Sequence, residues 1–144
     1  MKGKVKKFLV KVGMVVLLVV MVGGTIVSIK EKKESENAIH VVQSGVSKIN
    51  EDSNYKEAFE KYFTNLSWFT YKNSQGVRIV GFTAQRYMHN RNTMGDYEIS
   101  YIVDENTNTF KFYKGTCNGI ELNQIDMLKI TISAFDQADS VNNY

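Results

Sequence analysis

The order of hydrophobic and polar positions divides the chain into stretches of different period. Val12 to Ile29 is an unbroken run of 18 residues without a charge. From Ala38 to Ile49, apolar residues fall at Ile39, Val42, Val46 and Ile49. Those spacings of three and four predict one face of a short helix, with Gly45 as its weak point. After the turn-prone EDSN segment, Tyr55, Ala58, Phe59, Tyr62 and Phe63 recur at helical spacing, and Asn54 with Glu57 has the form of a capping box. A second helix is predicted there, with its stripe toward the core.

From Ser67 the period becomes two. Trp68 to Tyr71 is a short aromatic strand, Asn73 to Gly76 a turn cluster, and Val77 to Met88 a longer strand interrupted by Gly81. Beyond a polar loop, Tyr97, Ile99, Tyr101 and Val103 alternate with Glu98 and Ser100, and Phe110 and Phe112 follow after DENTN. Asn118-Gly119 suits a type I′ turn, which predicts a brief return over Ile120 and Glu121. The last element is a helix capped by Asn123, with Asp126 in its first turn and Ile125, Leu128, Ile132 and Phe135 along the face expected to be buried. Residues 136–144 are polar and are expected to fray. The predicted class is α+β: helices packed on one face of a four-stranded antiparallel meander, a C-terminal helix, and an opposite face that is at least partly wet.

The uncharged run changes the picture of where this domain sits. At about 1.5 Å per residue it is roughly 27 Å long, close to the hydrocarbon thickness of a bilayer. Eleven of its side chains are Val, Leu or Ile, which favours insertion by about 3–7 kcal/mol before Gly, Thr and Ser are counted against it. Lys2, Lys4, Lys6, Lys7 and Lys11 precede the run, whereas Lys30, Lys32 and Lys33 after it are offset by Glu31, Glu34 and Glu36. The positive-inside rule therefore places the N-terminus in the cytoplasm and the remainder outside. The alternative is a cleaved signal peptide with an apolar region from Val12 to Val22 and small residues at Gly23 and Gly24. Apolar character continuing to Ile29, and Val22 where Ala is preferred, favour the uncleaved anchor. No Cys lies near the end of the run, which excludes lipid attachment at a bacterial lipoprotein site. The expected organisation is a cytoplasmic basic tail over 1–11, a single-pass transmembrane anchor over 12–29, a charged stalk over 30–36, an extracytoplasmic domain over 37–135 and a polar tail over 136–144.

Charge follows the same division. The chain has Lys+Arg 18 and Asp+Glu 15, a net +3. Five of the lysines precede the run and no acid does, so residues 30–144 carry 13 bases against 15 acids. A nucleic-acid binder needs its positive charge on the folded domain, so that class is excluded.

Candidate chemistry is sparse. Cys117, the single cysteine, cannot form an internal disulfide, and no spacing supports His40 or His89 as its base. Beside an Asn-Gly turn it reads as a small packing residue. Asp104, Asn106 and Asn108 imitate the start of a calcium loop, but Thr109 stands where glycine is needed and Gly115 where a bidentate Glu is needed. A hairpin turn accounts for the same residues. Two histidines without HExxH, and no CxxC, argue against zinc, and GxGxxG, P-loop and GxSxG motifs are absent. The acidic pairs Asp96 with Glu98 and Asp104 with Glu105 need converging geometry before they can act as acid and base. No metal, cofactor or enzymatic activity is expected. The local concentration of positive and aromatic character on the domain is RYMHNR. Arg86, Tyr87, His89 and Arg91 are its candidate binding residues, because guanidinium groups meet carboxylates and phosphates through paired donors and the histidine would add pH sensitivity.

The phrases YKEAFEKYFTNLSWFTY, VRIVGFT, a strand ending in VD before TFKF, and NGIELNQ leading into the last helix resemble uncharacterised single-pass, envelope-anchored small α+β domains of Gram-positive bacteria. Some members carry a zinc ribbon before the membrane helix, whereas the first eleven residues here contain no Cys or His. The resemblance implies an envelope-anchored location and no particular reaction. A looser likeness is to the NTF2-like and cystatin-like folds, as fold analogy alone. The expected function is non-catalytic binding or scaffolding outside the membrane, through the sheet face or the loop after the second strand. Its alternatives are a subunit of a secretion, conjugation or phage-exclusion membrane assembly, and a secreted protein freed by signal-peptide cleavage.

Overall fold

The structure is a computed structural model that describes residues 30–48 and 50–141. The expected basic tail, the membrane anchor over 12–29 and Ile49 lie outside the described residues. No helix among the described residues is long and apolar enough to cross a membrane. The chain divides into two compact units, Met1–Ser35 and Glu36–Tyr144. In the first, residues 30–35 are helical, and Lys30 pairs with Glu34 at 3.9 Å across one helical turn. A pair this exposed contributes about 0.3–0.5 kcal/mol at most.

The second unit is α+β. Residues 36–43 (α1) are followed by β1 (Val46–Ser47), β2 (Asn50–Asn54), α2 (Tyr55–Tyr62), β3 (Thr64–Lys72), β4 (Arg78–Met88), β5 (Thr93–Asp104), β6 (Thr109–Cys117), β7 (Ile120–Glu121) and α3 (Gln124–Val141). The helix expected to reach Ile49 stops near Gly45, whose N–H donates to the Val42 carbonyl at 3.2 Å. A side chain at Gly45 would meet the Phe110 ring at 2.5 Å, so the chain turns where glycine lets that ring in. Val46, expected on the helix's buried face, is in β1 and 59% exposed. EDSN, expected as a turn, forms most of β2, which pairs antiparallel with β1. Asn50 and Ser53 point inward, whereas Glu51 and Asp52 are exposed. Asn50 is buried, accepting from the Asp52 N–H at 2.8 Å and donating to the Phe135 carbonyl at 3.4 Å.

The capping box forms as expected. Asn54 Oδ1 accepts from the Glu57 N–H at 2.9 Å and Glu57 Oε2 from the Asn54 N–H at 3.5 Å. Ala58, Phe59 and Phe63 are buried, with Tyr55 and Tyr62 packed against the same cluster, so the α2 stripe does face the core.

The main sheet is a five-stranded antiparallel meander in sequence order, β3 to β7, accompanied by the two-stranded β1–β2 sheet. The brief return at Ile120–Glu121 makes the fifth strand where four main strands were expected. Facing residues on one side are Trp68↔Phe82, Phe82↔Ile99 and Tyr101↔Phe112. This side, with Val80, Ala84 and Val103, joins Phe59, Phe135 and the other buried helical residues in one core. The register shifts at Ser100/Tyr101, where one residue more on β6 than on β5 bends the strand.

The opposite side has a small dry centre. Ile79 is fully buried between its cross-strand partners Tyr71 and Ile102. Phe69 lies over Gly81, where a Cβ would come within 2.5 Å of the ring. Around that centre Ser67, Thr83, Glu98 and Lys111 are exposed.

The cap of α3 is as expected: Asn123 Oδ1 accepts from the Asp126 N–H at 2.9 Å and Asp126 Oδ2 from the Asn123 N–H at 3.1 Å. Its buried face is not. Met127, Ala134, Phe135 and Ala138 are buried, whereas Ile125 is 64% and Leu128 55% exposed. Only Phe135 belongs to both the expected and the observed core. Small residues decide the rotation: Ala134 and Ala138 are completely buried where α3 packs against α2, as is Ala58 on the other side. Backbones approach where side chains are short, and the larger aliphatics turn away. The helix also continues past Phe135 to Val141.

Candidate functional site

The four residues singled out in RYMHNR do not form one loop. Strand β4 stays paired through Met88↔Thr93, so Arg86 and Tyr87 are neighbouring strand residues on opposite faces. Arg86 turns toward the helices. Its Nη1 donates to the Tyr62 carbonyl at 2.6 Å and to Gln137 Oε1 at 3.4 Å, and its guanidinium lies 3.4 Å from the Tyr62 ring centroid. That is the geometry of a clamp joining β4 to α2 and α3. Tyr87 turns the other way, stacks edge-on against His89 at 5.0 Å and hydrogen bonds to Asn92 Oδ1. Asn92 has φ 51, the left-handed backbone that closes this turn. Arg91, whose N–H donates to the Met88 carbonyl, is exposed on the turn. The structure thus brings Tyr87 and His89 together and separates both from Arg86.

Arg91 instead belongs to a groove of about 530 Å³ bounded by the β4–β5 turn, the β6–β7 hairpin and the start of α3. Met88, Leu122 and Ile130 supply apolar walls, Ile120 stands 66% exposed, and Arg91, Lys129, Glu121 and Asp126 add charges of both signs. The hairpin on one side is fixed by backbone. Asn118 and Gly119 have φ 51 and 76, the left-handed pair that a type I′ turn requires, and the Asn118 side chain accepts from the Asp96 N–H at 2.8 Å. The Leu122 N–H then donates to the Gly115 carbonyl at 2.8 Å, bringing the chain across to the cap of α3.

Cys117 and Tyr97 also line this groove, joined by a side-chain hydrogen bond. Burial, the Cys117 hydrogen bond, and the Cys117 and Tyr62 charges push the Tyr97 phenol up to about 12, against a smaller opposing influence from Arg86. A phenol this weakly acidic is protonated at neutral pH and draws no proton from a thiol. Gly95 makes room beside them, since a Cβ there would lie 3.3 Å from Cys117 Sγ and 2.9 Å from the Tyr97 ring. His40 is on α1 and His89 packs against Tyr87.

The acidic candidates have local structural roles. Asp104 Oδ1 accepts from the Asn106 and Thr107 N–H groups at 2.9 and 3.4 Å, and Asn108 has φ 52, so DENTN is a capped hairpin turn. Asp96 Oδ1 accepts from Gln85 Nε2 at 2.7 Å, and Glu105 lies 3.7 Å from the Arg78 guanidinium. No group of three or more His, Cys, Asp or Glu among the described residues could hold a metal ion.

Sequence reasoning missed four groove residues: Ile120 of β7, Leu122 just after it, and Lys129 and Ile130 of α3. No sequence signal marked them: Lys129 and Ile130 lie outside both apolar stripes of α3, Ile125–Leu128–Ile132 and Met127–Ala134–Ala138, and Ile120 and Leu122 follow a short hairpin turn. In comparisons with protein families, with curated proteins and with solved structures, nothing matches this chain.

Proposed function

We propose that this chain is a non-catalytic binding or scaffolding protein held at a membrane by residues 12–29, with its α+β domain on the outer side and a peptide segment of a protein partner seated in the groove beside α3. The observation that carries the binding reading is the exposure of Ile120 at the mouth of an apolar-walled groove rimmed by Arg91 and Lys129. An isolated exposed apolar side chain needs no explanation, but one at a concave site with charges around it has the makings of a partner's anchor point. The membrane part rests on the uncharged run and the lysines before it, and the NTF2-like or cystatin-like assignment on the helix-then-meander order of elements.

Two measurements test this. A photo-crosslinking residue in place of Ile120 forms an adduct in intact cells, whereas the same residue in place of Glu98 on the opposite sheet face does not; equal yields from both sites refute the groove. Protease added to cells stripped of their wall digests the domain, and an untouched domain refutes the outward orientation.

A further inference from the structure

The main sheet ends at β3 on one side and at the β6–β7 hairpin on the other, and the hairpin closes its side only in part. Strand β7 pairs with Thr116 and Cys117, and the Leu122 N–H extends this cover to the Gly115 carbonyl at 2.8 Å. Among the described residues no strand pairs with the rest of β6 on that side, from Thr109 to Lys114.

The register shows which backbone groups face the gap. The Asp96 carbonyl accepts from the Asn118 N–H at 2.8 Å, so alternation turns the peptide groups of Asp96, Glu98, Ser100 and Ile102 toward β6. Their facing residues on β6 include Thr116, Lys114 and Lys111. Phe112 and Phe110, opposite Tyr101 and Val103, fall outside those bonded pairs and direct their N–H and C=O groups to the open edge. Two donors and two acceptors therefore stand in line there.

Beside this edge is a cavity of about 280 Å³, with α3 as its far wall. Tyr55, Phe110, Phe112, Met127 and Leu128 line it, and it shares no residue with the groove at Arg91. Tyr55 meets the Phe110 ring edge-on at 5.0 Å, which fixes the floor, and Leu128, 55% exposed, forms the outer lip. An open strand edge, an apolar floor and a helix opposite are what a sheet offers when it takes up an extended peptide as one more strand. Lys111 and Lys114 face Ile102 and Ser100 on the other side of the sheet, and both are exposed. Lysines on an edge repel a basic strand, and a second copy of β6 would bring the same two charges. They leave an acidic strand as the matching occupant.

We propose that this edge binds an extended peptide with the pattern apolar, acidic, apolar. The two apolar residues pair with Phe110 and Phe112 and place their side chains in the cavity. The acidic residue between them points to the opposite face, beside Lys111. This is a second site, independent of the groove.

The probe is the peptide acetyl-Thr-Leu-Glu-Leu-Thr-amide, titrated into the full chain in lipid nanodiscs with Met and Leu methyl groups labelled. The Met127 and Leu128 methyl resonances shift saturably. Methylating both leucine nitrogens removes the donors that face β6 and weakens binding about tenfold. Methylating the glutamate nitrogen, which faces away, changes binding little. Exchanging the glutamate for lysine weakens binding about threefold, and in the Lys111→Glu protein the lysine peptide becomes the better of the two. Absence of a saturable shift overturns the proposal. So does undiminished binding of the leucine-methylated peptide, because the cavity would then hold side chains with no strand formed. A glutamate preference that survives in Lys111→Glu overturns it as well, as does a response at Leu122 in the groove without one at Leu128.

Discussion

The Arg86 guanidinium lies 3.4 Å from the centroid of the Tyr62 ring while its Nη1 donates to the carbonyl of the same residue at 2.6 Å. One side chain therefore satisfies an orphan carbonyl at the end of α2 and covers the ring that packs beneath it. Arg86→Ala is expected to destabilise the domain by about 1–3 kcal/mol. Arg86→Lys recovers little, because an ammonium cannot reproduce the planar contact and the directed bond together. Denaturant titration of the three proteins checks this, and crosslinking from Ile120 remains unchanged in Arg86→Lys.

Gly81 carries the ring of Phe69. A methyl group there would meet Phe69 at 2.5 Å and the Ile99 carbonyl at 2.8 Å. Gly81→Ala costs about 1–3 kcal/mol through overpacking. Adding Phe69→Ala relieves the ring clash and leaves the backbone clash, so thermal melting of the double variant shows partial, incomplete recovery relative to Phe69→Ala alone.

Substitutions along α3 separate its two apolar stripes. Met127→Ala removes a buried side chain and costs about 2–5 kcal/mol. Leu128→Lys and Ile125→Lys change exposed positions and stay within about 0.5 kcal/mol of wild type. Urea unfolding of each distinguishes the observed rotation of the helix from the one in which Ile125 and Leu128 face the core, which reverses the order.

Stability falls at alkaline pH. Tyr55, Tyr97 and Tyr101 are all raised above 10.0 by burial, Tyr97 to about 12 with added effect from its hydrogen bond to Cys117. A folded protein that holds these protons more tightly than its unfolded chain keeps that contribution in full below pH 10 and loses it progressively as pH rises from 10 toward 12. Tyr97→Phe removes one titrating group, so a plot of unfolding free energy against pH between 9 and 11.5 is shallower than in wild type.

These expectations show which features were legible in the sequence. Alternation in Tyr97–Val103 and the Asn118-Gly119 pair specified a hairpin meander, because a period of two and a left-handed turn are local properties. The caps at Asn54 and Asn123 were legible for the same reason. The rotation of α3 was not, since Ile125–Leu128–Ile132 is as good a stripe as Met127–Ala134–Ala138, and the choice depends on how closely Ala58 lets α2 approach. EDSN misled because it pairs with β1 and buries Ser53, while the preceding Asn50 bonds to the Phe135 carbonyl, and no local pattern encodes these contacts. At the site, RYMHNR was visible as a cluster in sequence, but strand pairing to Met88 sends consecutive residues to opposite faces, and Arg91 acquires its neighbours from β7 and α3.

Each strand of the main sheet after β3 pairs with the one synthesised just before it, so the order of delivery and the order of pairing coincide as the chain emerges from a ribosome. Short-range hairpins close without waiting for distant partners. The cover for Phe59, Phe82 and Ile99 does not follow that rule, because Met127, Ala134, Phe135 and Ala138 all arrive after Asn123. A nascent chain therefore holds an aromatic sheet that α2 covers only in part until its final segment is released, and a product ending before Gln124 presents the remaining surface to chaperones and proteases.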